Sequence, residues 1–424
     1  MHPFPSLRSL FFGAIALAAL TLAGTVPGNA EAQLLIEAST GKVLHAENAT
    51  YPWYPASVTK LMTTYTTLRA IKEGRLSMNT LLTVSRDAAA MPPTHMGFKI
   101  GTRVTVDNAL KMLLVKSAND MAVVIAEGVG GSIEGFADMM NANARRLGMT
   151  QSNFVNPNGL PAEGHVTSAR DLAILARALI AEFPDYDYLW HIHAIQYGNR
   201  IMHNYNTLLD RYPGADGMKT GFICASGYNV VASATRNGRR LIAVVLGAWS
   251  GAVRAQKAAQ LLENGFNSNG LSWLTPSLGT VDALAPMDAQ PPNLREEMCG
   301  GHRRKPPSED NEEEEPTAAA ASETASGDAN SGSTQAFMLS NLKPAAGKFV
   351  LGPAVETEPP VVVFTGPADH PDKVPQYAGA PAKKHHKKVA KTEEKAEGAA
   401  TPAKPVAKKI SKKTAKPKVS SATQ

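Results

Sequence analysis

The chain has 424 residues, of which 43% are hydrophobic and 19% charged, and its formal net charge is +6. That length allows two or three domains and that hydrophobic share a real core. The charge is uneven: residues 373–424 hold 14 Lys against 3 Glu, a net of +11 that leaves −5 for residues 1–372, so the folded part is not itself a basic, nucleic-acid-type surface.

The N-terminus reads as a secretory signal peptide. Arg8 supplies a positive start, Leu10 to Leu22 is apolar, and Gly28-Asn29-Ala30 and Ala30-Glu31-Ala32 offer cleavage after Ala30 or Ala32. The apolar run is short for a membrane span, and no later segment is long and apolar enough to cross a bilayer. In an exported chain the two cysteines, Cys224 and Cys299, favour a disulfide over two free thiols.

Gln33 to Glu37 and Lys42 to Ala46 read as a hairpin around Ser39-Thr40-Gly41. Pro55-Ala56-Ser57-Val58-Thr59-Lys60 follows, then Leu61, Met62, Tyr65, Leu68 and Ile71 at helical spacing until Gly74. A separation of three places Ser57 and Lys60 on one helix face, near the donors of its first turn. Leu81 to Ser85 and Phe98 to Val106 read as short extended or loop segments. Val106 to Leu147 reads as three helices, the first two separated by Lys116-Ser117-Ala118-Asn119-Asp120. Asn156-Pro157-Asn158-Gly159 is a loop, and Ser168 to Ile180 another helix. Gly217 to Phe222 reads as a strand. Tyr228 to Arg236 and Arg239 to Gly247 form a hairpin about Asn237-Gly238, the strongest such signal in the chain. Ala252 to Phe266 closes the region as a helix.

The expected fold is therefore α/β: an antiparallel sheet covered by helices, with a helical insertion. The expected division is a signal peptide over 1–30, a folded domain over 31–270, a linker with Cys299 over 271–304, and a low-complexity tail over 305–424, Lys-rich from 373. Poor in apolar residues apart from Phe349 to Leu351 and Val361 to Phe364, that tail is expected to be disordered.

A Ser-x-x-Lys spacing arises by chance about twice in a chain this long, and Ser117 and Asn119 alone read as helix caps. The order is what carries information. Ser57-x-x-Lys60 on a helix, Ser117-x-Asn119 between helices and Lys219-Thr220-Gly221 on a strand form the set found in penicillin-binding proteins and class A β-lactamases. The sequence resembles the low-molecular-weight penicillin-binding D-alanyl-D-alanine carboxypeptidases, peptidase family S11, over about residues 33 to 267. The likeness extends to Ser168-Ala169-Arg170-Asp171, to Asp216-Gly217 before the Lys-Thr-Gly triplet, and to Tyr228 to Thr235.

The resemblance implies acyl transfer through a Ser57 ester, with release of D-alanine from stem pentapeptides and inhibition by penicillins. Lys60 would be the base, although a free lysine has a pKa near 10.4. A second cation about 5 Å away at an effective dielectric near 20 repels by roughly 3.3 kcal/mol, about 2.4 pKa units. Lys219 would be that cation and would attract the substrate's carboxylate. Ser117 would relay a proton, Asn119 would bind the substrate amide, Thr220 the carboxylate, and the backbone N–H groups of Ser57 and Phe222 the oxyanion. Gly221 completes the triplet.

No cofactor or metal is expected, since His191 and His193 alternate and His385-His386 lie in the tail. Many relatives have an arginine where this chain has Tyr205. Arg254 is expected either to compensate or to be a surface residue. A Cys224–Cys299 bond would tie the following chain to the rim of the cleft. The alternatives are a DD-endopeptidase and a β-lactamase, the latter disfavoured because no Glu-x-x-x-Asn element follows Asn119. The expected partners are stem peptides, β-lactams and, for the basic tail, anionic envelope polymers or lipids rather than nucleic acid. The expected location is the periplasm or cell envelope.

Overall fold

The computed structural model describes residues 31–268, 277–301, 351–355 and 358–372. The segment read as a signal peptide and the Lys-rich run lie outside these.

In chain order, strands β1 (Ala32–Glu37) and β2 (Val43–Glu47) precede a 3₁₀ turn, Ala56–Thr59, that leads into helix α1 (Lys60–Lys72). Strand β3 (Leu81–Thr83), helix α2 (Arg86–Ala89) and strand β4 (Arg103–Thr105) introduce helices α3 (Val106–Val115), α4 (Asn119–Gly130) and α5 (Ile133–Leu147). Helix α6 (Ala169–Glu182), strands β5 (Ala194–Tyr197) and β6 (Arg200–His203), and helix α7 (Leu208–Arg211) come next. Strands β7 (Ala215–Ile223), β8 (Gly227–Arg236) and β9 (Arg239–Ala248), helices α8 (Gly251–Asn267) and α9 (Arg295–Cys299), and the short strand β10 (Val361–Val362) complete the order.

The main sheet has the order β2-β1-β9-β8-β7, with every pair antiparallel. Strands about 200 residues apart thus meet at β1 and β9, while β7, which carries Lys219 to Gly221, is an edge strand. Strand periodicity divides the core. Leu34, Ile36, Val231, Ile242 and Val244 face the helices of the insertion, whereas Leu35, Val230, Ala232 and Val245 face Ala258, Ala259 and Leu262 of α8. The tight turn between β8 and β9 holds Asn237 at φ 50° and Gly238 at φ 76°, as an Asn-Gly turn requires.

Helix α1 is enclosed on nearly all sides, and its sequence accommodates this with threonines rather than a single apolar stripe. Thr64 and Thr67 donate to the carbonyls of Lys60 and Thr63, and Thr63 also reaches outward to Pro157 O at 2.6 Å. Thr64 and Thr67 are thus satisfied within the helix, while Thr63 ties it to the Pro157 loop.

Two of the expected boundaries change. The span 271–304 is not a free linker in its described part. Val43 N donates to Gly279 O and Val281 N to Gly41 O, Val281 and Met298 are buried, and Leu294 N donates to Ala225 O. A disulfide joins Cys224 to Cys299. Nor are residues 358–372 disordered tail. Strand β10 pairs in parallel with β5, Val363 is fully buried, and Gly366 N donates to Arg103 O. The reason is local: three or four apolar residues that find an open strand edge can order a segment whose average composition cannot.

The start of β1 discriminates between the two expected cleavage points. Ala32 is fully buried and pairs with Leu246, while Glu31 holds Lys257 in an ion pair and accepts a hydrogen bond from Asn48 through its carbonyl. Cleavage after Ala32 would remove all of these contacts. N-terminal sequencing of the mature protein is therefore expected to begin at Glu31; a start at Gln33 would contradict this account of β1.

Candidate active site

Three elements bring the motifs to one place. Ser57 lies on the 3₁₀ turn, one residue after Ala56, whose φ of 50° is unfavourable for a residue with a Cβ. Lys60 begins α1. Its side chain is fully buried, and its Nζ donates to Ser57 Oγ at 2.9 Å, Asn119 Oδ1 at 2.8 Å and Asn158 O at 2.8 Å.

Ser117 occupies the turn between α3 and α4 with φ 57°, again left-handed. Its Oγ is buried with no protein partner among the described residues, and so is Thr220 Oγ1 on β7. Lys219, also buried, donates to Thr220 O at 3.0 Å, and the preceding Met218 has φ 85°. Backbone conformations of this kind, adjacent to each of the three motifs, are held only because the surroundings over-determine them.

Gly221 explains the third position of its triplet. A Cβ there would sit 2.7 Å from Ser57 N and 2.9 Å from Val58 N, so only glycine lets β7 lie against the nucleophile's turn. Gly159 does the same from the other side: a Cβ would meet Ala56 O at 1.8 Å.

A buried amine touching a serine hydroxyl, two buried hydroxyls without protein partners among the described residues, and an edge strand closing on the serine's N–H are an arrangement suited to nucleophilic attack on a carbonyl. The model of the peptidase S11 family, D-alanyl-D-alanine carboxypeptidase, matches residues 22–250. The chain belongs to this family.

D-alanyl-D-alanine carboxypeptidase DacC of Escherichia coli (strain K12) is 38% identical over 246 residues, 56% of this chain and 61% of that protein. DacF of Bacillus subtilis (strain 168) is 36% identical over 245 residues, 56% of this chain and 62% of that protein. The chain thus spans about three-fifths of the length of these relatives. Among solved structures, penicillin binding protein 6B from Escherichia coli superposes with a TM-score of 0.54 at 37% identity, covering 56% of this chain and 76% of that one. Penicillin-Binding Protein D2 from Listeria monocytogenes, solved in a cefotaxime-bound form, gives 0.51 at 29% identity, covering 56% of this chain and 96% of that one.

Within this family member, the geometry refines several expected roles. Asn119 is committed to the protein: Oδ1 accepts from Lys60, and Nδ2 donates to Pro92 O at 3.0 Å, which leaves one amide hydrogen for a ligand. Arg254 is not a surface residue. It is buried, lies over the Tyr228 ring, and directs its guanidinium at Asn229 O and Tyr205 O. Tyr205 is buried too, and its hydroxyl accepts from Lys116 at 2.7 Å. Ser168-Ala169-Arg170-Asp171 lies outside the cleft chemistry: Ser168 caps α6, and the Arg170–Asp171 pair ties Gly148, Gln151 and Ser152 together.

Sequence reading missed the supports. What Asn158 offers Lys60 is its backbone carbonyl, which carries no side-chain signature. Asn229 donates to Tyr54 O and Pro55 O and accepts from Gly247 N, clamping the approach to Ser57 onto the sheet. Thr94 O and Oγ1 hold Asn119 N and Ser117 O, and the Asp120 carboxylate accepts from Met96 N and Gly97 N.

His165 is buried beneath the nucleophile's turn. Its Nδ1 accepts from Val155 N, which leaves Nε2–H to donate to Thr59 Oγ1 at 2.9 Å. Burial lowers its pKa to about 4. The unfolded chain therefore takes up this proton first as pH falls, and stability is lost between about pH 6.5 and 4, by roughly 3 kcal/mol in all. Thermal unfolding across that window should show a wild-type slope that a His165→Gln variant lacks; equal slopes would mean that the imidazole titrates normally.

Proposed function

We propose that the protein is an exported serine D-Ala-D-Ala carboxypeptidase that removes the terminal D-alanine of peptidoglycan stem pentapeptides and is acylated by penicillins. The observation that carries this reading is the 2.9 Å contact between Ser57 Oγ and a fully buried Lys60 Nζ. Burial penalises the ammonium form, and Lys219 on β7 is the cation assigned to penalise it further. A neutral Lys60 can accept the hydroxyl proton as Oγ attacks the scissile carbonyl.

The developing oxyanion falls to the N–H groups of Ser57 and Phe222, and closure of β7 at Gly221 brings the strand against this turn. Ser117, whose hydroxyl is uncommitted to the protein, passes a proton to the departing amine. D-alanine leaves, and water hydrolyses the ester at Ser57. Thr220 Oγ1 and Lys219 take the substrate carboxylate. No step calls on a metal. The basic residues of 373–424 suit anionic envelope polymers or lipid headgroups, the partners available to an exported chain.

Fluorescent penicillin is expected to label the wild type and not Ser57→Ala, while the wild type alone releases D-alanine from a pentapeptide. Labelling without release would favour cross-link cleavage by a DD-endopeptidase, and no labelling would overturn serine chemistry altogether. The role given to Lys219 is tested separately. In Lys219→Met the acid limb of the acylation pH profile should move upward by about a unit or more, because the neutral amine at Lys60 loses its electrostatic support. An unmoved limb would remove Lys219 from the activation of Ser57.

A further inference from the structure

Strand β7 carries groups of opposite use on either side of Gly221. Lys219 and Thr220 precede it. Beyond it, Ile223 and Ala225 line, with Tyr54, Ala56 and Leu160, a groove of about 300 Å³ that reaches Ala56, the residue before Ser57. The walls are largely apolar. Besides the Tyr54 phenol, the titratable groups that face the groove are His165 and Glu163. His165 is neutral at pH 7, with both ring nitrogens engaged by Thr59 and Val155. Glu163 is exposed at the rim and has no protein partner among the described residues.

The cleft is therefore bipolar, with amines at the Lys219 end and a single carboxylate at the Ala225 end. A substrate whose C-terminal carboxylate lies at Lys219 and Thr220, with its scissile carbonyl at Ser57, must run its acyl side toward Ile223. Strand geometry advances about 3.3 Å per residue, so the residue before the D-Ala-D-Ala pair lies alongside Phe222 and Ile223.

We propose that this groove seats that residue's side chain and that Glu163 pairs with an ammonium at its tip, making the enzyme selective for stem peptides that keep a free side-chain amine. The inference rests on the D-Ala-D-Ala reading above and sharpens it. An amine already acylated, as in a cross-link, has lost the charge that Glu163 attracts, so uncross-linked strands are preferred. Glu163 is then a specificity residue for the acyl donor.

The test compares Nα-acetyl-L-lysyl-D-alanyl-D-alanine, with its ε-amine free, against the Nε-acetylated peptide. The wild type should favour the free amine by about fivefold in kcat/KM. Glu163→Gln should bring the ratio to about one, and Glu163→Asp should retain a preference. A wild-type ratio near one, or a ratio that survives in Glu163→Gln, overturns the inference. Because Glu163 is exposed, fluorescent penicillin labelling reports whether each variant is folded. If the wild type is labelled yet hydrolyses neither peptide, the carboxypeptidase reading fails. The same ratio is then read from how well each peptide slows labelling, and equal protection overturns the Glu163 assignment on its own.

Discussion

One buried amine organises this protein. Lys60 Nζ bonds to Ser57 on its own turn, to Asn119 at the start of α4, and to the carbonyl of Asn158 in a loop. A lysine removed from water must be compensated by polar groups placed in advance. Two of the three acceptors lie 59 and 98 residues beyond Lys60, so the site exists only once the insertion has docked on the sheet. Much of the surrounding structure fixes these acceptors: Thr63 holds Pro157, Asn156 holds Gly159, and Thr94 and Pro92 hold Asn119 and its neighbour.

The second constraint is closeness. Glycines at 159 and 221 let two backbones press against the turn that carries Ser57 from opposite sides. Asn229 draws the residues before that turn onto β8. The turn that carries Ser57 is thus held by two close backbones and by the Asn229 side chain, and the unfavourable φ at Ala56 is sustained by that grip.

Much of this was legible in the sequence, where side-chain type or period carries the signal. Alternating apolar residues mark β8 and β9, Asn237-Gly238 marks their turn, and the apolar spacing of α3 to α5 marks the insertion. The three motifs stand out because their order adds to their identity. The Asn158 carbonyl was hidden because any residue has one. Asn229 was hidden because a clamp on a distant backbone looks like any strand polar residue. The hairpin of β5 and β6 was missed in a stretch with weak alternation, and the docking of β10 was masked by the composition around it. Arg254 illustrates the remaining limit: nothing in a helical sequence says that a lone arginine turns inward onto two carbonyls and a tyrosine ring.

The parallel pairing of Val361 and Val362 with β5 also settles which backbone groups meet solvent on that side of the helical lobe. Any shortened form ending near Cys299 would leave Gln196 O without its Val363 donor and the site of the fully buried Val363 side chain uncovered. A bare strand edge beside an apolar hollow is a template for association between molecules. The returning segment therefore closes an edge that would otherwise lie open to pairing with another strand.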